Sequence, residues 1–118
     1  FVGENDISGY SPLISAAELK GMLEEPVADR RPLVLDVRNI NEYESSHIKG
    51  ALNIAVDELR FRLDEVPRGR PIVLHCKSGF RSHLALRILK ENGWAEVKNL
   101  TGGYVIVMAL GGFDTEQA

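Results

Sequence analysis

One cysteine occurs in this chain, in the run IVLHCKSGFRSHLAL at residues 72–86, between a stretch of apolar residues and a helical pattern. A thiolate is a nucleophile where a thiol is not, so any chemistry at Cys76 depends on what surrounds it. Lys77, Ser78, Gly79, Phe80, Arg81 and Ser82 follow directly. That segment is short enough to turn its backbone N–H groups toward one centre, and Gly79 permits the positive φ that such a nest requires. A helix starting near Ser82 would direct its positive end at the same point. Cysteines in comparable surroundings titrate at roughly 3.5–7.5, against about 8.5 for a free thiol. Cys76 is therefore expected to be a thiolate at neutral pH, beside a cradle of amides that holds an anion. Lys77 and Arg81 would draw an anionic substrate to the mouth of the loop, and Phe80 would supply an apolar wall. A cysteine that ends an apolar strand is also an ordinary small core residue. A buried structural cysteine, however, has no need of the cationic, glycine-containing loop seen here.

The histidines add little to this centre. His75 is the strand neighbour of Cys76 and so points to the opposite face, which argues against it as the thiol's base. His83 falls in the first helical turn, where it faces solvent. One cysteine and three scattered histidines give no zinc-type spacing, and no metal is expected.

The elements that must position Cys76 alternate in type. Leu13-Ile14 reads as an edge strand, and Ser15-Ala16-Ala17-Glu18 is a capping box that opens a helix to about Glu25, stopped by Pro26. PLVLDV (32–37) is a continuous apolar strand, and NINEYESS after it a short helix or turn. ALNIAV (51–56) reads as another strand. Asp57 is expected to cap a helix that places Leu59, Leu63 and Val66 on one face before Pro67, Gly69 and Pro71. After the strand IVLHC, the segment SHLALRILKENG puts Leu84, Leu86, Ile88 and Leu89 on a helix closed by Gly93. EVKNL (96–100) is a last strand, Gly102-Gly103 a turn, and residues 104–110 a final helix. Strands separated by helices of about ten residues argue for an α/β fold, a mostly parallel sheet with helices on both faces. In such sheets ligands bind beyond the carboxyl ends of strands, which is where Cys76 stands.

Composition bounds the function. The 118 residues suit one domain, expected over 12–118, with residues 1–11 as linker or leader from a longer chain, because the opening lacks both an initiator methionine and a clear period. A hydrophobic fraction of 44% and a charged fraction of 26% are those of a globular protein. The formal charge of -3, with no basic stripe, argues against a nucleic-acid partner. The longest apolar stretch, YVIVMAL, is far short of the roughly 20 residues of a membrane span. A single cysteine cannot form an internal disulfide, which fits a reducing cytoplasm.

HCKSGFRS resembles the active-site loop of the rhodanese family of sulfurtransferases. LDVRNINEYESSHIKGALNI (35–54) is similar to the family's second hallmark, and NLTGGYVIVMALGGF to its closing glycine pair and helix. The resemblance covers about residues 12–113, in the family's order. It implies a five-stranded rhodanese-like sheet, a Cys76 persulfide that carries sulfane sulfur, and a loop from Lys77 to Ser82 that holds the outer sulfur. It also implies an ion-pair cluster of Asp36, Arg38 and Glu42, with His47 as a hydrogen-bonded turn residue, supporting the scaffold. Ser46, Val107 and Phe113 stand where family members usually have glycine, tryptophan and proline, which touches turns and packing. The wording from Arg87 to Tyr104 looks most like the rhodanese domain of coenzyme A-disulfide reductases and NAD(P)H-dependent persulfide or polysulfide reductases. The partners implied are a small sulfur-containing anion as donor, a thiol acceptor, and a fused flavoprotein reductase domain. FAD and CoA would belong to that domain, with no cofactor in this one. Two other readings share the fold. Dual-specificity phosphatases use five residues between cysteine and arginine where this chain has four, a tighter ring better matched to a persulfide sulfur, which places phosphatase or arsenate-reductase activity below sulfur transfer. Non-catalytic rhodanese-like interaction modules typically lack the cysteine.

Overall fold

The computed structural model describes residues 13–78 and 80–118; the expected linker over residues 1–11 and the loop glycine Gly79 lie outside the described residues. Five parallel strands make one sheet in the order β1 (Leu13–Ile14), β6 (Val97–Leu100), β5 (Ile72–His75), β2 (Leu33–Asp36), β4 (Leu52–Asn53). Between them run the helices α1 (Ala16–Leu23), α2 (Ile40–Ser45), α3 (Phe80–Glu91) and α4 (Gly103–Leu110). A strand covered on both faces needs apolar residues at every position. The central pair meets that need: Val34 and Val73 pack with Leu19 of α1 and Val107 of α4, whereas Leu35, Ile72, Leu74 and Cys76 pack with Ala85, Leu86, Ile88 and Leu89 of α3. Cys76 thus enters the core on the α3 side of the sheet.

Local signals set most boundaries. Ser15 and Glu18 form the reciprocal capping box that starts α1, and Asn39 with Glu42 does the same for α2. α3 ends in a Schellman motif: Gly93 takes φ 100°, Trp94 N–H donates to Leu89 O at 3.0 Å and Gly93 N–H to Lys90 O at 3.3 Å. Trp94 then folds into the core, its indole N–H on Pro67 O at 3.0 Å.

Four expectations change. The helix after Val56 is two 3₁₀ segments, Val56–Phe61 and Leu63–Glu65, broken at Arg62; Ala55 occupies the cap position, and Asp57 lies inside the first turn. Leu59 and Val66 still reach the α3 core from this tighter winding. Leu84 is exposed, because its place on α3 turns outward from the stripe that Ala85, Leu86, Ile88 and Leu89 bury. Residues 51–56 contribute only two ladder residues to the sheet, although the amides of Ile54 and Val56 continue to the carbonyls of Asp36 and Val37. A second, antiparallel sheet of two strands joins β3 (His47–Ile48) to β7 (Thr115–Glu116), each too short for its sequence to show a period of two. His47 is therefore a strand residue and not a turn residue.

Leu35 is fully buried on a central strand. Leu35→Ala should lower the unfolding free energy by about 2–5 kcal/mol, whereas Leu84→Ala should stay within about 0.5 kcal/mol of the parent; urea unfolding of the two variants checks both.

Candidate active site

β5 ends where its carbonyls leave the sheet. Val37 N–H takes His75 O at 3.0 Å, but the next two carbonyls go elsewhere: Tyr104 N–H donates to Cys76 O at 2.8 Å and Val105 N–H to Lys77 O at 3.0 Å. The orphan amides of the first turn of α4 thereby find acceptors in the cysteine loop. Gly103 makes the approach possible. Its φ is 60°, and a Cβ there would lie 2.6 Å from Cys76 O and 2.7 Å from Lys77 O. In a trans peptide the C=O of one residue and the N–H of the next point in opposite directions. With the carbonyls of Cys76 and Lys77 given to α4, the N–H groups of Lys77 and Ser78 face away from it, toward the side of the sheet where the sulfur and α3 lie.

Cys76 is 1% exposed. Ser82 Oγ lies 3.4 Å from Cys76 Sγ and 2.6 Å from Asn99 Oδ1 of β6. α3 begins at Phe80, two residues earlier than expected, so Arg81 and Ser82 stand in its first turn. Ser82, expected in the anion cradle, is instead buried against the sulfur. Lys77 and Ser78 are exposed, and Phe80, at 87% exposure, stands out into solvent and lines no wall. Arg81 does not present a free guanidinium: Nη1 and Nη2 donate to Glu42 Oε1 and Oε2 at 2.8 and 3.1 Å. A guanidinium fork matches a carboxylate bidentately, and this pair ties the cysteine loop to α2 across the mouth. Arg81 holds the Glu42 carboxyl below the usual carboxylate range.

The ion-pair cluster expected from the sequence is therefore divided. Asp36 and Arg38 pair bidentately in the interior, Nε to Oδ1 at 2.9 Å and Nη2 to Oδ2 at 2.7 Å, while Glu42 serves Arg81 and the α2 cap. Arg38 also donates to Ser46 O and stacks 4.2 Å over the Tyr104 ring, whose hydroxyl meets Ser46 Oγ at 2.6 Å. His75 lies on this same side, opposite Cys76, with its ring 5.6 Å from that of Tyr104. Its Nδ1 faces the Cys76 carbonyl at 3.2 Å, and a carbonyl can only accept, so the ring proton sits on Nδ1. Nε2 is left without a hydrogen bond, 3.6 Å from Asp36 Oδ2, which is beyond hydrogen-bond range. Burial pushes the His75 pKa below its ordinary value, and the Asp36 carboxylate opposes that less strongly. His47 stacks on Tyr43 at 3.7 Å and faces Tyr43 O and Glu116 Oε2, bracing β7. His83 is exposed on α3.

Asn99, Gly103 and Tyr104 belong to this centre; the sequence marks Gly103 as part of a turn and Tyr104 as packing, and sequence reasoning does not single out Asn99. The available signal for Asn99 is its spacing of two from Val97, which puts a carboxamide on the inward face of a strand. A cavity of about 660 Å³ opens at the other end of the sheet, near Lys20, Arg31, Lys49 and Arg70, and holds none of the residues around Cys76. Among the described residues no helix is long and apolar enough to cross a membrane.

Residues 15–109 match the Rhodanese-like domain family. The chain belongs to that family. This rhodanese-like domain is 33% identical over 106 residues to a tRNA uridine(34) hydroxylase of Escherichia coli, covering 85% of this chain and 29% of the enzyme. It is 40% identical over 75 residues to the Bacillus subtilis protein YqhL, covering 64% of this chain and 60% of that one. It therefore spans less than two thirds of either relative. Among solved structures it is similar to reduced CoADR-RHD of Bacillus anthracis, with 37% identity, a TM-score of 0.72, and coverage of 86% and 17% of the two chains. The NAD-dependent persulfide reductase of A. fulgidus also superimposes, at 37% identity and a TM-score of 0.67 over 87% and 17% of the chains. The expected likeness to reductase-appended rhodanese domains and the five-stranded parallel sheet are both met.

Two outcomes follow from this geometry. Gly103→Ala should lose about 1–3 kcal/mol of stability and also change the rate of Cys76 alkylation at fixed pH, because the new Cβ displaces the loop carbonyls. Gly50→Ala has a similar φ of 86° but open space around it, so it should lose stability alone; equal alkylation rates in both variants would contradict the role given to Gly103. For His75, the unfolded chain takes up a proton as pH falls through about 6.5, while the buried ring resists it. Stability should thus fall below that pH, by up to about 1.4 kcal/mol per pH unit. Urea unfolding between pH 8 and 5 should show a smaller loss in His75→Asn than in the parent chain.

Proposed function

We propose that this domain is a sulfurtransferase that moves sulfane sulfur through a persulfide on Cys76. The observation that supports the reading is the placement of Cys76: it is buried with Ser82 of the first turn of α3 at 3.4 Å from Sγ, and the carbonyls of Cys76 and Lys77 are held by α4, from which planarity of the two peptides turns the Lys77 and Ser78 N–H groups away from α4. In the first step the Cys76 thiolate attacks the sulfane sulfur of thiosulfate, a polysulfide or a small persulfide. The new S–S bond forms at Sγ, the donor's S–S bond breaks, and its electron pair leaves with the remainder of the donor, as sulfite for thiosulfate. In the second step an acceptor thiolate attacks the outer sulfur and the electron pair returns to Sγ. This is covalent catalysis in two displacements. The Lys77 and Ser78 amides stabilise the outer sulfur as an oxyanion hole stabilises oxygen. No metal or organic cofactor enters these steps.

Sulfur transfer is favoured over phosphoryl transfer by the short loop, which has four residues between Cys76 and Arg81, and two of the five N–H donors of Arg81 are given to Glu42. Lys77 remains the exposed cation at the mouth and assists an anionic donor at long range. Both named relatives that resemble this chain at 37% identity are far longer. We infer that the acceptor thiolate is served by a flavoprotein disulfide-reductase domain, fused or separate, which would supply the two electrons that break the acceptor's new S–S bond and release the sulfur as sulfide; FAD and CoA would belong to that domain.

Intact-mass spectrometry after incubation with thiosulfate, and separately with polysulfide, should show a gain of one sulfur that reductant removes. Cys76→Ser should fold normally and gain nothing, and Arg81→Ala should still load. Absence of any gain with both donors, or loading of the serine variant, would overturn the proposal.

A further inference from the structure

Asn99 is a carboxamide buried at 5% exposure on β6, in register with Leu74 two residues before Cys76. A strand interior position of this kind is normally apolar, and a buried polar group is retained where a partner satisfies it. Its oxygen takes the Ser82 hydroxyl at 2.6 Å, and that same hydroxyl oxygen is 3.4 Å from Cys76 Sγ. Ser82 is fully buried, so its hydroxyl has no bulk water to turn to.

A hydroxyl has one proton to donate and lone pairs to accept with. When Ser82 donates to Asn99 Oδ1, the oxygen can only accept from the sulfur, which requires the protonated thiol. When the sulfur is an anion, the hydroxyl proton is drawn to it. A half-turn of the carboxamide, which exchanges its present contacts, lets its NH₂ group donate to Ser82 Oγ where its oxygen had accepted. Asn99 is suited to this by having a donor and an acceptor on one planar end; a carboxylate or an apolar residue could serve one state at most.

We propose that Asn99 is a positioning residue that, through the Ser82 hydroxyl, stabilises negative charge on Cys76 Sγ whenever that sulfur carries it. This rests on the persulfide reading for its place in the reaction. Charge resides on Sγ in the resting thiolate and returns there when the acceptor removes the outer sulfur. In that step the acceptor's thiolate forms a bond to the outer sulfur, the bond to Sγ breaks, and its electron pair stays on Sγ. The loop amides serve the outer sulfur and the Ser82–Asn99 pair serves the inner one. Discharge of the persulfide, in which Sγ is the leaving group, is the step the pair assists most directly.

The presence of a single cysteine makes the test unambiguous. The thiol pKa of the full chain is read from thiolate absorbance and from the pH dependence of iodoacetamide alkylation, neither of which needs a sulfur donor. Ser82→Ala should raise it by about one to two pH units, the size of a hydrogen bond to a charged group. Asn99→Ala should move it in the same direction, and Asn99→Asp further, since a carboxylate keeps the hydroxyl proton away from the sulfur. The double variant of Ser82→Ala with Asn99→Ala should match Ser82→Ala alone, because the two act in series. Among the described residues the ionisable groups around the sulfur are Lys77 in its loop, Arg81 on α3 with Glu42 on α2, and Asp36, Arg38 and His75 across the sheet; all are unchanged in these variants. Single-turnover discharge of a loaded persulfide to a thiol should slow about tenfold or more in Ser82→Ala, with Ser82→Thr restoring it. If Asn99→Ala does not fold, Asn99→Asp and Ser82→Ala decide the matter. A thiol pKa unchanged in these two variants, or fully additive effects of the two alanine changes, would overturn the role of Asn99. If no donor loads Cys76, the persulfide reading fails while the thiol titration still reports on the pair.

Discussion

Two backbone hydrogen bonds, from Tyr104 and Val105 to the carbonyls of Cys76 and Lys77, decide the direction in which the cysteine loop leaves the sheet. They satisfy the start of α4 and turn two peptides at once, and planarity of those peptides carries the turn into the direction of the next two amides. The requirement reaches back into the sequence as Gly103, where any side chain would collide with both acceptors. It also fixes the sheet order: β6 must lie beside β5 for the connection through Gly102 to bring α4 against the end of β5.

The two faces of β5 divide the work around this loop. On the α4 side, Asp36, Arg38, Tyr104 and the half-buried Ser46 are linked to one another and hold the strand ends in place, with His75 beside them keeping Nε2 without a hydrogen bond. An ion pair in such a setting is weak grounds for net stability, so its contribution is geometric. On the α3 side, the sulfur lies among apolar residues with Ser82 and Asn99 as its polar neighbours. The Glu42–Arg81 pair links the two at the surface, and its charges are matched to each other and not to a ligand.

Much of the fold was legible because the signals were local. Doubly buried strands read as unbroken apolar runs, both capping boxes involve residues three apart, and Gly93 marks the end of α3 through its backbone alone. What escaped was set by contacts distant in sequence. Val56–Phe61 has the apolar spacing of an α-helix, and only packing under α3 shows that it winds as 3₁₀. Leu84 matches the buried stripe by type but not by angle. Arg81 follows a cysteine in a loop suited to anions, and nothing local says that Glu42, 39 residues earlier, takes up its charge. Asn99 sits 23 residues after Cys76 in sequence but in the adjoining strand. The cysteine, its loop and the family could be read from the chain, whereas the partners of each side chain could not.

Sulfur transfer through Cys76 depends most on the loop amides receiving the outer sulfur of the persulfide. A crystal structure of the persulfidated protein tests this directly. The outer sulfur is expected within hydrogen-bonding distance of the Lys77 and Ser78 amide nitrogens, with the bonds from Tyr104 and Val105 to the loop carbonyls intact. An outer sulfur pointing into solvent, or a loop whose carbonyls have left α4 to turn toward the sulfur, would contradict it.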